Sequence, residues 1–91
     1  MKNVKIMRKV RVKNPLGLHA RPATMIVKLL QECKSHVFFT YKKETVNARS
    51  IMSILMLAAS KNALITICVE GEDARETMQR LIEVFDIKFG E

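Results

Sequence analysis

On either side of the run Asn14-Pro15-Leu16-Gly17, the spacing of apolar residues changes from two to about 3.6, so the chain passes there from strand to helix. Between residues 4 and 13, Val4, Ile6, Val10 and Val12 alternate with Lys5, Lys9, Arg11 and Lys13. A period of two sends these sets to opposite faces, so a half-buried strand with a basic, solvated side is expected. The Asn-Pro-Leu-Gly run then breaks the pattern as a turn. Between residues 20 and 32, Ala23, Ile26, Val27 and Leu30 share one helical face while Lys28, Gln31 and Glu32 look away. Pro22 falls in the first turn, where its missing N–H removes no helical bond. His19 is thereby placed at or beside the helix N-cap.

Beyond the first helix, residues 36–42 are rich in strand formers, His36-Val37-Phe38-Phe39-Thr40-Tyr41-Lys42. A polar turn at Lys43-Glu44 leads into Thr45-Val46-Asn47 and suggests a hairpin. Ser50 is suited to cap a second short helix running from Ile51 to about Ala58, apolar on almost every side. Asn62 suits a left-handed turn position, and residues 64–69 read as a central strand. Asp73 and Glu76 have capping-box spacing, with Met78, Leu81, Ile82 and Phe85 as the apolar stripe of a closing helix. The order is βαββαβα. With helices segregated over a mostly antiparallel sheet, the expected class is α+β, one domain over residues 1–91.

Composition narrows the function classes. Nearly half of the 91 residues are apolar (48%), which excludes a disordered chain, and with 5% aromatics and no Trp the core must rest on Ile, Val, Leu and Met. Cys33 and Cys68 form no CxxC pair, as suits a reducing cytosol, and with His19 and His36 they lack zinc-ligand spacing. No metal and no cofactor are expected. The first eight residues lack the apolar stretch of a signal peptide, and the longest apolar stretch, residues 51–59 with Ser53 inside it, is too short to span a membrane. A cytoplasmic protein without membrane insertion is expected. The charge of +7 attracts any acidic partner, protein or nucleic acid. Phe38, Phe39 and Tyr41 are the only rings available for base stacking, and an edge strand explains them as well.

His19 carries the chemistry. The first four N–H groups of a helix lack intrahelical partners and, with the helix dipole, form an anion site. The same positive end favours a neutral ring, whose lone pair is then free to attack phosphorus. Arg21, two residues on, can offer phosphoryl oxygens a planar, permanently charged fork. Ala20 and Ala23 are too small to crowd a docking partner. Dipole help of about 0.3–1 kcal/mol and a charge-assisted hydrogen bond of about 1.5–3 kcal/mol hold a phosphoryl group without trapping it. The bland alternative is that His19 merely caps or lies on the surface.

The run Asn14-Pro15-Leu16-Gly17-Leu18-His19-Ala20-Arg21-Pro22-Ala23 resembles the active-site signature of the HPr family, the histidine-containing phosphocarriers of the phosphoenolpyruvate-dependent phosphotransferase system. Val46-Asn47-Ala48-Arg49-Ser50-Ile51-Met52 is similar to that family's regulatory serine segment, and Leu64-Ile65-Thr66-Ile67 with Glu70-Gly71-Glu72-Asp73-Ala74 to its last strand and helix start. The landmarks keep order and spacing from Asn14 to Phe85. The resemblance implies an open-faced β-sandwich, a four-stranded antiparallel sheet with three helices on one face. It implies that enzyme I phosphorylates His19 on Nδ1, that Arg21 steadies the phosphoryl, and that an EIIA-type domain receives it. It further implies regulatory phosphorylation of Ser50 by an HPr kinase/phosphorylase. Leu18, Ile51, Met52 and Leu55 would form a docking patch, though a core role is equally open for Leu55.

Departures are informative too. Leu16 stands where sugar-type carriers often have a small polar residue, and a leucine there resembles the nitrogen-related branch. Ser53 and Ala58 occupy places where many relatives have Gly, which suggests a stiffer second helix. The competing functions are a regulatory relative governed by Ser50 and a basic nucleic-acid-binding domain. An exposed relay site is simplest on a monomer, and no nucleic acid is expected as the main ligand.

Overall fold

The computed structural model describes residues 3–91, so the reading of the first eight residues falls partly outside it, at Met1 and Lys2. Strand β1 (Val4–Arg11) is followed by α1 (Ala20–Gln31), β2 (His36–Tyr41), β3 (Glu44–Asn47), α2 (Ile51–Met56), β4 (Leu64–Gly71) and α3 (Ala74–Asp86), and a single 3-10 turn over Lys88–Gly90 ends the chain. The strands form one antiparallel sheet in the order β1-β4-β2-β3. The expected α+β class, strand direction and element order are all found.

Alternation sets the layers. Ile65, Ile67 and Val69 of β4 and Val37 and Phe39 of β2 are buried, and meet Ile26 and Leu30 of α1 and Met78, Leu81 and Phe85 of α3 in one core. Burying each Leu, Ile or Phe side chain stabilises by roughly 1.5–3 kcal/mol. The three helices cover one face of the sheet and leave the other open.

Four details differ from expectation. β2 lies inside the sheet, so the edges are β1 and β3, and Phe39 is core rather than an edge-strand ring. The hairpin turns at Lys42-Lys43, with Lys42 at φ 57°, and Glu44 already belongs to β3. α2 stops at Met56 because Ala58 adopts φ 52°, so Ala58 ends the helix instead of stiffening it. Asp73 begins α3 but caps nothing with its side chain. Its carboxylate instead accepts the N–H groups of Lys34 (2.9 Å) and Ser35 (3.0 Å) and the Ser35 hydroxyl, tying the α1–β2 connection to the start of α3. Those bonds, the Ser35 hydroxyl foremost, hold the Asp73 carboxyl below the ordinary carboxylate range.

Candidate functional site

Gly17 makes the approach to α1 possible. Its φ is +71°, and a Cβ there would overlap the carbonyl oxygen of Ala59. That oxygen accepts the N–H of Leu18 at 2.9 Å, so the loop before α1 lies against the segment that follows α2. The chain then enters α1 with His19 as N-cap, in an extended conformation and with a side chain that makes no capping bond. A merely capping role for the ring is therefore excluded.

Fewer donors stand at the helix start than the general count of four suggests. Pro22 has no N–H, and the N–H of Ala23 is bonded to the His19 carbonyl at 3.1 Å. The N–H groups of Ala20 and Arg21 remain without helical partners. Both residues are exposed, and the first turn holds no acidic side chain. The Arg21 guanidinium has no hydrogen-bond partner among the described residues, so it is free to meet an anion.

A residue that the sequence reading passed over completes the site. Glu91 places Oε2 2.9 Å from His19 Nε2, a close contact without hydrogen-bond alignment, and the His19 side chain keeps 31% of its surface exposed. The Glu91 carboxyl lies below its ordinary range, first because Asn14 donates to it at 2.6 Å and further because His19 and Arg21 are near. Asn14 is fully buried, and its Nδ2 also donates to the Lys88 carbonyl at 2.8 Å. Phe89 anchors this tail: it is buried, with its ring centroid 4.9 Å from that of Phe85, itself 6.0 Å from Phe39. The available signal was a lone Phe with an acid two residues on, beyond the last helical stripe.

The expected docking residues separate. Met52 is 67% exposed, Ile51 lies at the border of exposure, and Leu55 is half-buried against the core. Leu18 departs from expectation: at 4% exposure it belongs to the core, because its backbone is drawn onto Ala59 and its side chain turns inward. Met56 and Leu16, both 76% exposed, are the apolar residues that reading missed. Ser50 is the N-cap of α2, accepting the Ser53 N–H at 3.2 Å. Just before it, Arg49 donates to the carbonyls of Leu30, Cys33 and Ser35 and locks this segment to the end of α1. Among the described residues no group of His, Cys, Asp and Glu is arranged to hold a metal ion, and no helix is long and apolar enough to cross a membrane.

Among the described residues, a half-exposed histidine at an open helix start, with an arginine free of hydrogen bonds beside it and no second acid–base pair, makes an anion site open to partners. A site of this kind suits the class of carriers rather than self-sufficient catalysts. The comparisons agree. Residues 6–86 match the family model for the "PTS HPr component phosphorylation site". The chain is 52% identical over 80 residues to the phosphocarrier protein HPr of Chlamydia muridarum, covering 88% of this chain and 77% of that one. Among solved structures, HPr from Thermoanaerobacter tengcongensis superposes with a TM-score of 0.87 at 35% identity, covering 100% of this chain and 98% of that one. The HPr of Bacillus anthracis gives 0.82 at 37% identity over 87% and 94%. The chain belongs to the HPr family, the phosphocarriers of the phosphotransferase system.

Proposed function

We propose that His19 is the phosphoryl acceptor and that the chain, a single functional unit over residues 1–91, relays the group from phosphorylated enzyme I to an EIIA-type domain. The observation that carries this reading is the position of His19 at the open N-terminus of α1. Nε2 faces Glu91, which leaves Nδ1 as the nitrogen able to attack. As the Nδ1–phosphorus bond forms, the bond from phosphorus to enzyme I breaks and its electron pair stays with enzyme I. The new phosphoryl oxygens meet Arg21 and the N–H groups of Ala20 and Arg21. Transfer onward is the same step in the other direction, with the EIIA-type domain as acceptor. The protein needs no cofactor for this and is not itself a self-sufficient enzyme.

In the same reading the protein is a cytoplasmic monomer. Ile51, Met52 and Met56 on α2 and Leu16 in the loop supply an adaptable apolar surface for successive partners. Ser50, at the N-terminus of α2 and locked in place through Arg49, is the regulatory site for an HPr kinase/phosphorylase. A phosphate there would sit at a favourable helix end and act on docking by charge and bulk. The downstream acceptor is of the sugar or the nitrogen-related type.

The test is intact mass after incubation with phosphoenolpyruvate, magnesium and a compatible enzyme I. An acid-labile gain of one phosphoryl, absent in a folded His19→Ala variant, is expected. No gain with an active enzyme I that binds the protein would sink the relay and move the function to Ser50.

A further inference from the structure

No helix covers the second face of the sheet, and the strand register defines what it displays. Lys5, Met7, Lys9 and Arg11 of β1 stand opposite Glu70, Cys68, Thr66 and Leu64 of β4. On the other side of β4, His36, Phe38 and Thr40 of β2 stand opposite Glu70, Cys68 and Thr66. Met7, Cys68 and Phe38 thus form one apolar row across three strands. Met7 is 54% and Phe38 36% exposed, and Leu64, 42% exposed, adds apolar surface at one end. The β1 side of the row is cationic. Lys5, Lys9 and Arg11 make no salt bridge among the described residues. Glu70, opposite Lys5, is the sole acid in these four rows. None of these residues belongs to the His19 site.

We infer that this face docks an acidic amphipathic helix of a partner protein. Its apolar stripe covers Met7, Cys68 and Phe38, and its carboxylates meet Lys9 and Arg11. A helix fits because the opposite face of this same twisted sheet already packs helices. Acidity follows from charge complementarity: three cations beside the ridge have no ion-pair partner, and the chain's charge of +7 steers such a partner toward it. A second copy of this chain would bring three cations from each side together against one acid each. Single-stranded nucleic acid needs a platform of stacking rings, and Phe38 is the only Phe, Tyr or Trp in the rows.

The test uses the full chain, isotope-labelled, and a synthetic helix of about five turns with Leu along one face and Glu along the other. The expected shifts fall on Met7, Lys9, Thr66, Cys68 and Phe38, and binding weakens with salt. The Lys9→Glu, Arg11→Glu double variant, whose altered side chains are exposed, binds about tenfold more weakly with an unchanged fold. Met7→Ser weakens binding without changing its salt dependence. Absence of binding, shifts confined to Ile51 and Met52, or equal affinity in the double variant would each overturn the inference. So would tighter binding of a poly-uridine oligonucleotide, of phosphatidylglycerol vesicles, or of the same helix with Lys in place of Glu.

Discussion

Replacing Arg49 with alanine tests whether one side chain ties the two functional helices together. Its Nη1 donates to the Leu30 carbonyl at 2.7 Å, and its Nη2 to those of Cys33 at 2.8 Å and Ser35 at 2.7 Å. These bonds are not equivalent. The Leu30 carbonyl also accepts the Cys33 N–H at 3.0 Å and keeps that partner in the variant. The carbonyls of Cys33 and Ser35 have no other backbone donor among the described residues. A hydrogen bond from a charged donor contributes about 1.5–3 kcal/mol, and Ser35 is fully buried, so its carbonyl is left unpaired, whereas Cys33 is partly exposed and water recovers roughly half of its loss. The expected loss is about 2–4 kcal/mol, a large share of the roughly 5–15 kcal/mol that holds a small domain folded. Urea denaturation should show a lower midpoint with an unchanged slope. Arg49→Lys should recover less than half, because one ammonium cannot span three carbonyls. A loss under about 0.5 kcal/mol for Arg49→Ala would refute the reasoning, showing that water replaces the guanidinium without penalty.

Arg21→Ala should slow phosphoryl acceptance at least about tenfold with little change in stability; equal transfer rates in stopped-time quench assays would remove Arg21 from the site. Ser50→Asp should weaken enzyme I docking, measured by calorimetric titration, and unchanged affinity would count against a regulatory role. Asp73 has a depressed carboxyl in the fold, so its stabilisation is present above the ordinary value of 3.8 and fades as pH falls through the lower folded value. Asp73→Asn should therefore be less stable by about 1–2 kcal/mol near neutral pH, with the gap closing in acid; a gap that stays constant would be wrong for this account. Ala58→Gly should be stabilising, because relief of about 1–2 kcal/mol at a positive φ exceeds the roughly 0.4–1 kcal/mol gained by a freer unfolded chain; a lower thermal midpoint would contradict it.

Much of this was legible in the sequence where a single period governs a segment. The alternation around Val10 and Val12 and the stripe of Met78, Leu81 and Phe85 depend on local spacing, and both appear as expected. Asp73 misled because its spacing to Glu76 is that of a capping box, while its actual partners lie 38 and 39 positions earlier, where no local rule looks. β2 was compatible with an edge because strand order is set by which strands share the core, and sequence order does not state it. At the site, the position of His19 at the start of α1 followed from the turn and Pro22, while the roles of His19 and Arg21 came from the resemblance. Glu91 and Asn14 followed from neither, since they meet only after Phe89 has folded back onto Phe85.

That tail has a consequence for how the carrier would work. A carboxylate is favoured near the N-terminus of a helix, and Glu91 is already held beside His19 by Asn14 and by the anchored Phe89. In the proposed cycle the phosphoryl arrives on Nδ1 while Glu91 stays at Nε2, so an anion lies near each ring nitrogen. The carboxylate stabilises the protonated phosphoimidazole, and the Arg21 guanidinium offsets the repulsion between the two anions. No partner in this set encloses the group: His19 and Arg21 remain open to solvent on the side an acceptor must approach. Holding from one side by several modest interactions keeps the group secure between encounters and releasable during them. A deeper pocket with more donors would bind the phosphoryl more tightly and slow the relay.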